Sequence, residues 1–363
     1  MIVLGAGLAG AAMAWQAYWR GWSIAIIDRQ DVQSSSRVAA GLVTPITGSR
    51  AAASWRWNEF YPEANLFYRR VEQASGSLFW SVEPALRAFR SQAEIELYRG
   101  KWLQRETATD QDAIRVSMYD GPIPLGLKAP FEICRFEPSA RLEPCGYLDA
   151  TRQFFESLDA FHLCNLNCDT DIVFESLRSV NSVVIPSLQL SAKYIVFCQG
   201  IAARENRYFA DLPLHPARGD ILEVQSQSVD FDRVLHHDAW FVPIGQHRYL
   251  VGATYDRFES DTLTTPESKT ERFRGELIQR WESMMAGTFQ DGQHTVLGQR
   301  WAIRPATYDR HPLLGAHDLV ANAFCLNGLG SKGTLMAPLL ATKIIDAMDG
   351  APIEPSLLLS RRK

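Results

Sequence analysis

At 363 residues, with 46% hydrophobic and 21% charged side chains, the chain is long enough for two domains of ordinary size and too apolar to remain disordered. A net charge of -4 leaves no cationic excess to neutralise a phosphate backbone, so nucleic acid is not expected as a partner. No positively charged region precedes an apolar core at the N-terminus, and no run approaches the roughly 18 apolar residues of a spanning helix, so a cytoplasmic protein without a membrane partner is expected.

The chain opens on an apolar run, Ile2–Leu4, that enters Gly5, Ala6, Gly7, Leu8, Ala9 and Gly10 and continues into an alanine-rich stretch as far as Ala17. Strand, tight turn and helix are expected in that order, with Gly21 closing the helix. Ser23, Ile24, Ala25, Ile26 and Ile27 then make a buried second strand that ends at Asp28. An acidic residue at that distance from the glycines completes a dinucleotide fingerprint, in which the helix N-terminus holds a pyrophosphate and the carboxylate a ribose hydroxyl. Asp28 would also repel a 2′-phosphate.

Residues 34–48 are rich in small side chains, which let a ligand approach the backbone closely. A helical pattern follows from Trp55 to about Trp80, and shorter alternating runs then lead to Pro144. The run around Tyr194, Ile195, Val196, Phe197 and Gly200 reads as a return to the first sheet, and three further strands follow near Ile221, Phe241 and Leu250. A charged amphipathic helix spans roughly residues 266–285. The last strand, near Phe324, leads into Gly328, Leu329, Gly330, Ser331, Lys332, Gly333 and Thr334 and a final helix. The six cysteines are scattered, and Cys164 with Cys168 lacks the partners of a zinc site, so reduced thiols and no metal are expected. His236 and His237 are adjacent on a strand and face opposite ways, which argues against a shared ion.

Gly5 to Gly10 with Asp28, the run Ala39, Ala40, Gly41 and Leu42, the strand ending at Gly200, the strand Val251, Gly252, Ala253 and Thr254, and Arg304, Pro305, Ala306 and Thr307 leading to Gly333 occur in one order. Through them nearly the whole chain resembles the D-amino-acid-oxidase-like family of FAD-dependent oxidoreductases. That group includes glycine oxidase, sarcosine oxidase and the oxidase half of a bifunctional enzyme of tRNA wobble-uridine modification. The resemblance implies an α/β fold: a Rossmann-type FAD-binding domain from residues 1–50, 140–212 and 295–363, with an antiparallel-sheet α+β substrate domain from 51–139 and 213–294.

The resemblance also implies an enzyme that oxidises a carbon–nitrogen bond of a small amine or amino acid by hydride transfer to flavin N5, the imine then being hydrolysed, with dioxygen or an electron carrier taking the electrons. It puts Ala39, Ala40, Gly41 and Leu42 beside the flavin and residues 329–334 near its pyrimidine, where a helix N-terminus favours arriving negative charge. It adds Arg29, Ser36, Ile172 and Gly200 to the cofactor contacts. Arg304 matches the arginine that grips the substrate carboxylate, a task suited to a planar guanidinium. Trp240 and Tyr255 fall where side chains cover the flavin face, and Thr47 is a candidate for the pocket wall.

Two departures stand out. Ser331 occupies the position of a second arginine in glycine oxidase, and Ala302 the approximate position of a flavin-linking cysteine in monomeric sarcosine oxidase, so non-covalent FAD and a substrate other than glycine are expected. The glycine fingerprint alone leaves open an NAD(P)-dependent dehydrogenase, a flavin hydroxylase or a non-catalytic flavin-binding protein.

Overall fold

The computed structural model describes residues 1–48, 50–103, 114–128, 131–177, 180–258, 263 and 265–359. Ile2–Leu4 is buried along its whole length, as the centre of a parallel sheet requires. It pairs in parallel with Ala25–Asp28 on one side and Ile195–Phe197 on the other. Phe161–Leu163 and Ala323–Asn327 extend the sheet in parallel, and Leu313–Ala316 closes it as an antiparallel edge. The first helix, Leu8–Trp19, buries Ala11, Ala12, Ala14 and Ala17 against this sheet and the last helix, Gly333–Met348. Small side chains on that face let the two helices pack closely. Gly21, at φ +74°, turns the chain out of the first helix by donating to the Tyr18 carbonyl.

The other large sheet has nine strands. At its centre Ala217–Ser226, Arg248–Gly252 and Trp240–Pro243 run antiparallel, and Ala85–Ala88, Ile133–Glu137 and Arg115–Met118 continue it outward. Leu222, Val224, Tyr249 and Val251 point to one face, where the helix Glu267–Met284 buries Phe273, Leu277, Trp281 and Met284 at helical spacing. Ile221, Val242, Leu250 and Ala302 point to the other face and meet Val38 and Ala40 from the first unit. The mixed α/β architecture expected from the sequence is therefore present, and the junction of its two sheets is lined by residues 38–42.

Two segments depart from the expected division. The strand His294–Arg304 pairs along its length with Ala217–Ser226, so the chain leaves the nine-stranded sheet at Arg304 rather than at 295. The helix Trp57–Ser75, assigned by sequence to the substrate domain, buries Phe60, Ala64, Phe67 and Tyr68 in the same core as the first and last helices. Tyr68 donates its hydroxyl to the Thr334 carbonyl at 2.9 Å, and Phe67 packs edge-on to Trp19. Amphipathic spacing defines a buried face but not which sheet that face meets.

Candidate active site

Gly5 and Gly10 of the first turn make room for backbone. A Cβ at Gly10 would stand 1.7 Å from the Gly5 carbonyl oxygen, and one at Gly5, whose φ is +98°, 2.6 Å from the Cys198 carbonyl oxygen. Both are contacts that only glycine permits. Gly7 caps the first helix without a side chain, and a Cβ there would meet the Ser36 hydroxyl at 2.7 Å. Ser36 Oγ accepts the Leu8 N–H at 3.0 Å, placing an oxygen where a helix N-terminus receives an anion. Asp28 accepts the Ala6 N–H at 2.7 Å and the Gln30 N–H at 2.6 Å, which fixes its carboxylate at the end of the second strand.

Two clefts adjoin this turn. The first, enclosing about 1690 Å³ of space open to solvent, is walled by Asp28, Arg29, Ser36, Cys168 and Gln199. The second, about 1000 Å³, runs between residues 39–42, the sheet residues Gly219, Ile221, Trp240, Ala302 and Arg304, and the turn carrying Gly330, Ser331, Gly333 and Thr334. Gly7, Ser35, Ser36, Cys198 and Gly200 belong to both walls, so the two clefts form one elongated groove over the helix N-terminus. A glycine cradle that any Cβ would fill, at the meeting of two clefts over a helix N-terminus, fits a dinucleotide such as FAD. Gly41, at φ +71°, approaches the strand Ala140–Leu142 so closely that a Cβ would stand 1.9 Å from the Leu142 carbonyl oxygen.

Arg304 and Trp240 stand together in the second cleft. The Arg304 guanidinium lies over Gly219 and donates from Nη1 to the Arg218 and Thr254 carbonyls at 3.3 Å, and from Nη2 to the Thr254 carbonyl at 3.4 Å. Burial pulls its pKa below the ordinary arginine value, with Tyr255 and Asp220 acting in the opposite direction. An arginine remains charged nonetheless. Tyr255 is half exposed and stacks on Arg304, its ring centroid 5.4 Å from the guanidinium carbon, outside the residues that wall the cleft. Trp240 covers Gly252, where a Cβ would come within 2.5 Å of the indole.

Of the remaining candidates, Arg29 stays on the wall of the first cleft. Ile172 is buried in the core beneath the first cleft, with Phe197 and Cys168, and Arg29 pairs with Asp31. Thr47, in a two-stranded hairpin, walls neither cleft. Sequence reasoning missed Gly219, whose missing side chain leaves the space that the Arg304 guanidinium fills; its only signal is a glycine between Arg218 and Asp220.

Lys332 does not project into solvent. Its ammonium donates to the Ser54 hydroxyl at 3.2 Å, and burial pushes its pKa down to about 8. Because the native value lies below the unfolded one, the unfolded chain holds this proton to higher pH, and stability contributed by this site rises with pH across that window. Lys332→Met is expected to be more stable than the wild type near neutral pH, with the difference in urea midpoint shrinking as the pH rises from about 8 to about 10; a gap independent of pH would contradict it. Burial, with Arg87 and Lys332 nearby, pushes His236 down to about 3, so its ring is neutral at physiological pH. Among the described residues no three His, Cys, Asp or Glu side chains gather to hold a metal, and no helix is long and apolar enough to cross a membrane.

Comparisons with known proteins agree with this geometry. A family model described as "FAD dependent oxidoreductase" matches residues 1–347. A tRNA 5-methylaminomethyl-2-thiouridine biosynthesis bifunctional protein of Marinobacter nauticus is 25% identical over 386 residues, covering 100% of this chain and 57% of the relative. This chain thus spans about half the length of its bifunctional relatives. A glycine oxidase of Bacillus licheniformis is 28% identical over 184 residues, 50% of this chain and 47% of the relative. Among solved structures, iminodiacetate oxidase from Chelativorans sp. superposes with a TM-score of 0.73 at 20% identity, covering 99% of this chain and 97% of that one. Glycine oxidase from Geobacillus kaustophilus gives 0.72 at 17% identity, with 100% and 98% covered. These likenesses show the fold, whereas the family model accounts for nearly all of the chain. The chain therefore belongs to the FAD-dependent oxidoreductase family and is an enzyme that works with FAD.

Proposed function

We propose that this enzyme oxidises the carbon–nitrogen bond of a small amino acid or N-substituted amine that carries one carboxylate. The observation that carries the reading is Arg304, a buried guanidinium in the wall of the second cleft, opposite the small-residue run 39–42. Its planar fork suits a carboxylate, and two of its nitrogens are already braced by backbone carbonyls. The names of the relatives support it, since glycine, iminodiacetate and a methylaminomethyl group each contain a carbon–nitrogen single bond.

In this reading the first cleft holds the adenosine half of FAD: Asp28 takes the ribose hydroxyls, and the first helix receives the pyrophosphate beside Gly7 and Ser36. Residues 39–42 and 330–334 would hold the ring in the second cleft, where FAD, when bound, would supply a hydride acceptor. Arg304 orients the substrate by its carboxylate, so that the carbon beside nitrogen faces that acceptor. Trp240 and Ile221 form an apolar wall that excludes water from the reacting bond. The N-terminus of the last helix, at Gly333 and Thr334, would favour negative charge on a reduced flavin held beside it. The oxidised product is an imine, which water converts to a carbonyl compound and an amine. Ser331, on the cleft wall, offers no second cation, so the site grips a single carboxylate and leaves the rest of the substrate against apolar surface.

Product analysis tests the reaction type. With an amine that reduces the flavin, one carbonyl product and one released amine are expected for each flavin reduced. Flavin reduction with the carbon–nitrogen bond of the substrate intact would overturn the reading.

A further inference from the structure

Arg218 and Asp220 are wholly buried and form a two-pronged ion pair, with Arg218 Nε and Nη2 each donating to a carboxylate oxygen at 2.8 Å. The pair lies beneath the helix Glu267–Met284: Nη2 also donates to Thr270 Oγ1 at 2.7 Å, and the guanidinium stacks 4.4 Å from the Trp301 ring. Gln299 ties the pair to the same helix, donating from Nε2 to Asp220 Oδ1 and to the Thr270 carbonyl at 2.9 Å each. Gly219, between the two charged residues, points the opposite way, toward Arg304 and the cleft; a Cβ on it would fall 1.8 Å from Arg304 Nη2.

Thr254 connects the two faces. Its hydroxyl accepts the Asp220 N–H at 2.8 Å and donates to Asp220 Oδ2 at 3.3 Å, and its own N–H donates to the Asp220 carbonyl at 3.3 Å. The Thr254 carbonyl in turn accepts from both Nη1 and Nη2 of Arg304, and the remaining Arg304 acceptor is the Arg218 carbonyl. Among the described residues, the hydrogen bonds from the Arg304 guanidinium therefore end on carbonyls of this ion-pair network. A buried ion pair is a poor source of stability, because desolvation cancels most of the attraction. What it supplies is a fixed arrangement.

We propose that Asp220 is a positioning residue for substrate binding: by holding Thr254 it fixes the carbonyls that aim the Arg304 guanidinium into the cleft. This rests on the reading of Arg304 as the carboxylate grip. Asp220 lines neither cleft, and its influence passes through one threonine.

The test uses holoenzyme and two probes that need no turnover, propionate and its neutral amide, with binding read from the perturbed flavin absorbance. Asp220→Asn strands the Arg218 charge and endangers folding, so Thr254→Val, which keeps shape and ion pair, is the informative variant. It is expected to raise the propionate Kd about three- to tenfold, the size of one lost hydrogen bond, and to leave the amide Kd unchanged. Thr254→Ser should restore propionate binding, and Thr254→Val should add nothing in an Arg304→Ala background. An unchanged propionate Kd, or an equal loss for the amide or in the Arg304→Ala background, would overturn the positioning role alone. Failure of propionate to bind the wild type would overturn the Arg304 grip and this proposal with it. Should Thr254→Val lose its flavin, Gln299→Leu, which removes a donor from Asp220 without touching Arg304, tests the same dependence: a rise in the propionate Kd alone supports the proposal, and no rise overturns it.

Discussion

Arg304→Ala is expected to raise the Kd for the amine substrate by on the order of a hundredfold, close to 3 kcal/mol, while flavin content stays at the wild-type level. A charge-assisted, two-pronged contact made in a site with little water is worth far more than a surface ion pair, and truncation leaves the substrate carboxylate buried without a partner. Arg304→Lys is expected to recover only part of the loss, since an ammonium keeps the charge but not the planar fork that Gly219 makes room for. Stopped-flow reduction under anaerobic conditions separates the two effects. The concentration giving half-maximal rate should move strongly and the limiting rate much less. A limiting rate that collapses at unchanged half-saturation would give Arg304 another role.

Gly7→Val is expected to give a folded, colourless protein. A Cβ at this position meets only the Ser36 side chain, Oγ at 2.7 Å and Cβ at 3.4 Å, and the hydroxyl, the one tight contact, can rotate away. The isopropyl group then fills the space over the first helix where the pyrophosphate would approach its N–H groups, costing FAD roughly a hundredfold or more in affinity. Gly10→Ala makes the contrast, because its Cβ would strike the Gly5 backbone carbonyl at 1.7 Å and neither partner is free to move. That change should damage the fold itself. Flavin absorbance per protein together with circular dichroism distinguishes them, and a yellow Gly7→Val protein with normal affinity would contradict the assignment of the cradle.

These contrasts also mark what could be read from the sequence. The turn Gly5 to Gly10 and Asp28 announce themselves because their chemistry is local: a strand, a tight turn and a helix within one continuous stretch. The same holds for residues 39–42 and 328–334, where small side chains leave room whatever lies opposite. Arg304 was legible through its resemblance, but its bracing was not, since Thr254 and Arg218 reach it across 50 and 86 residues of chain. Nor does a sequence show which way a side chain leaves a turn. Lys332 stands among glycines in the sequence, and its ammonium turns inward to Ser54 across 278 residues. The helix Trp57–Ser75 was recognisable as an element and the strand His294–Arg304 was not, and each joined a different body from the one expected. Periodicity records that a face is buried, and long-range pairing decides against what.

The most direct test of the central claim is anaerobic titration of the purified yellow protein with a panel of amino acids and N-substituted glycines, followed by its absorbance spectrum. The flavin bands are expected to bleach with at least one carboxylate-bearing amine and to stay unchanged with the corresponding hydroxy acid, and Arg304→Ala should need far more of the same amine. Bleaching by the hydroxy acid, or a flavin that none of these amines reduces, would contradict that claim.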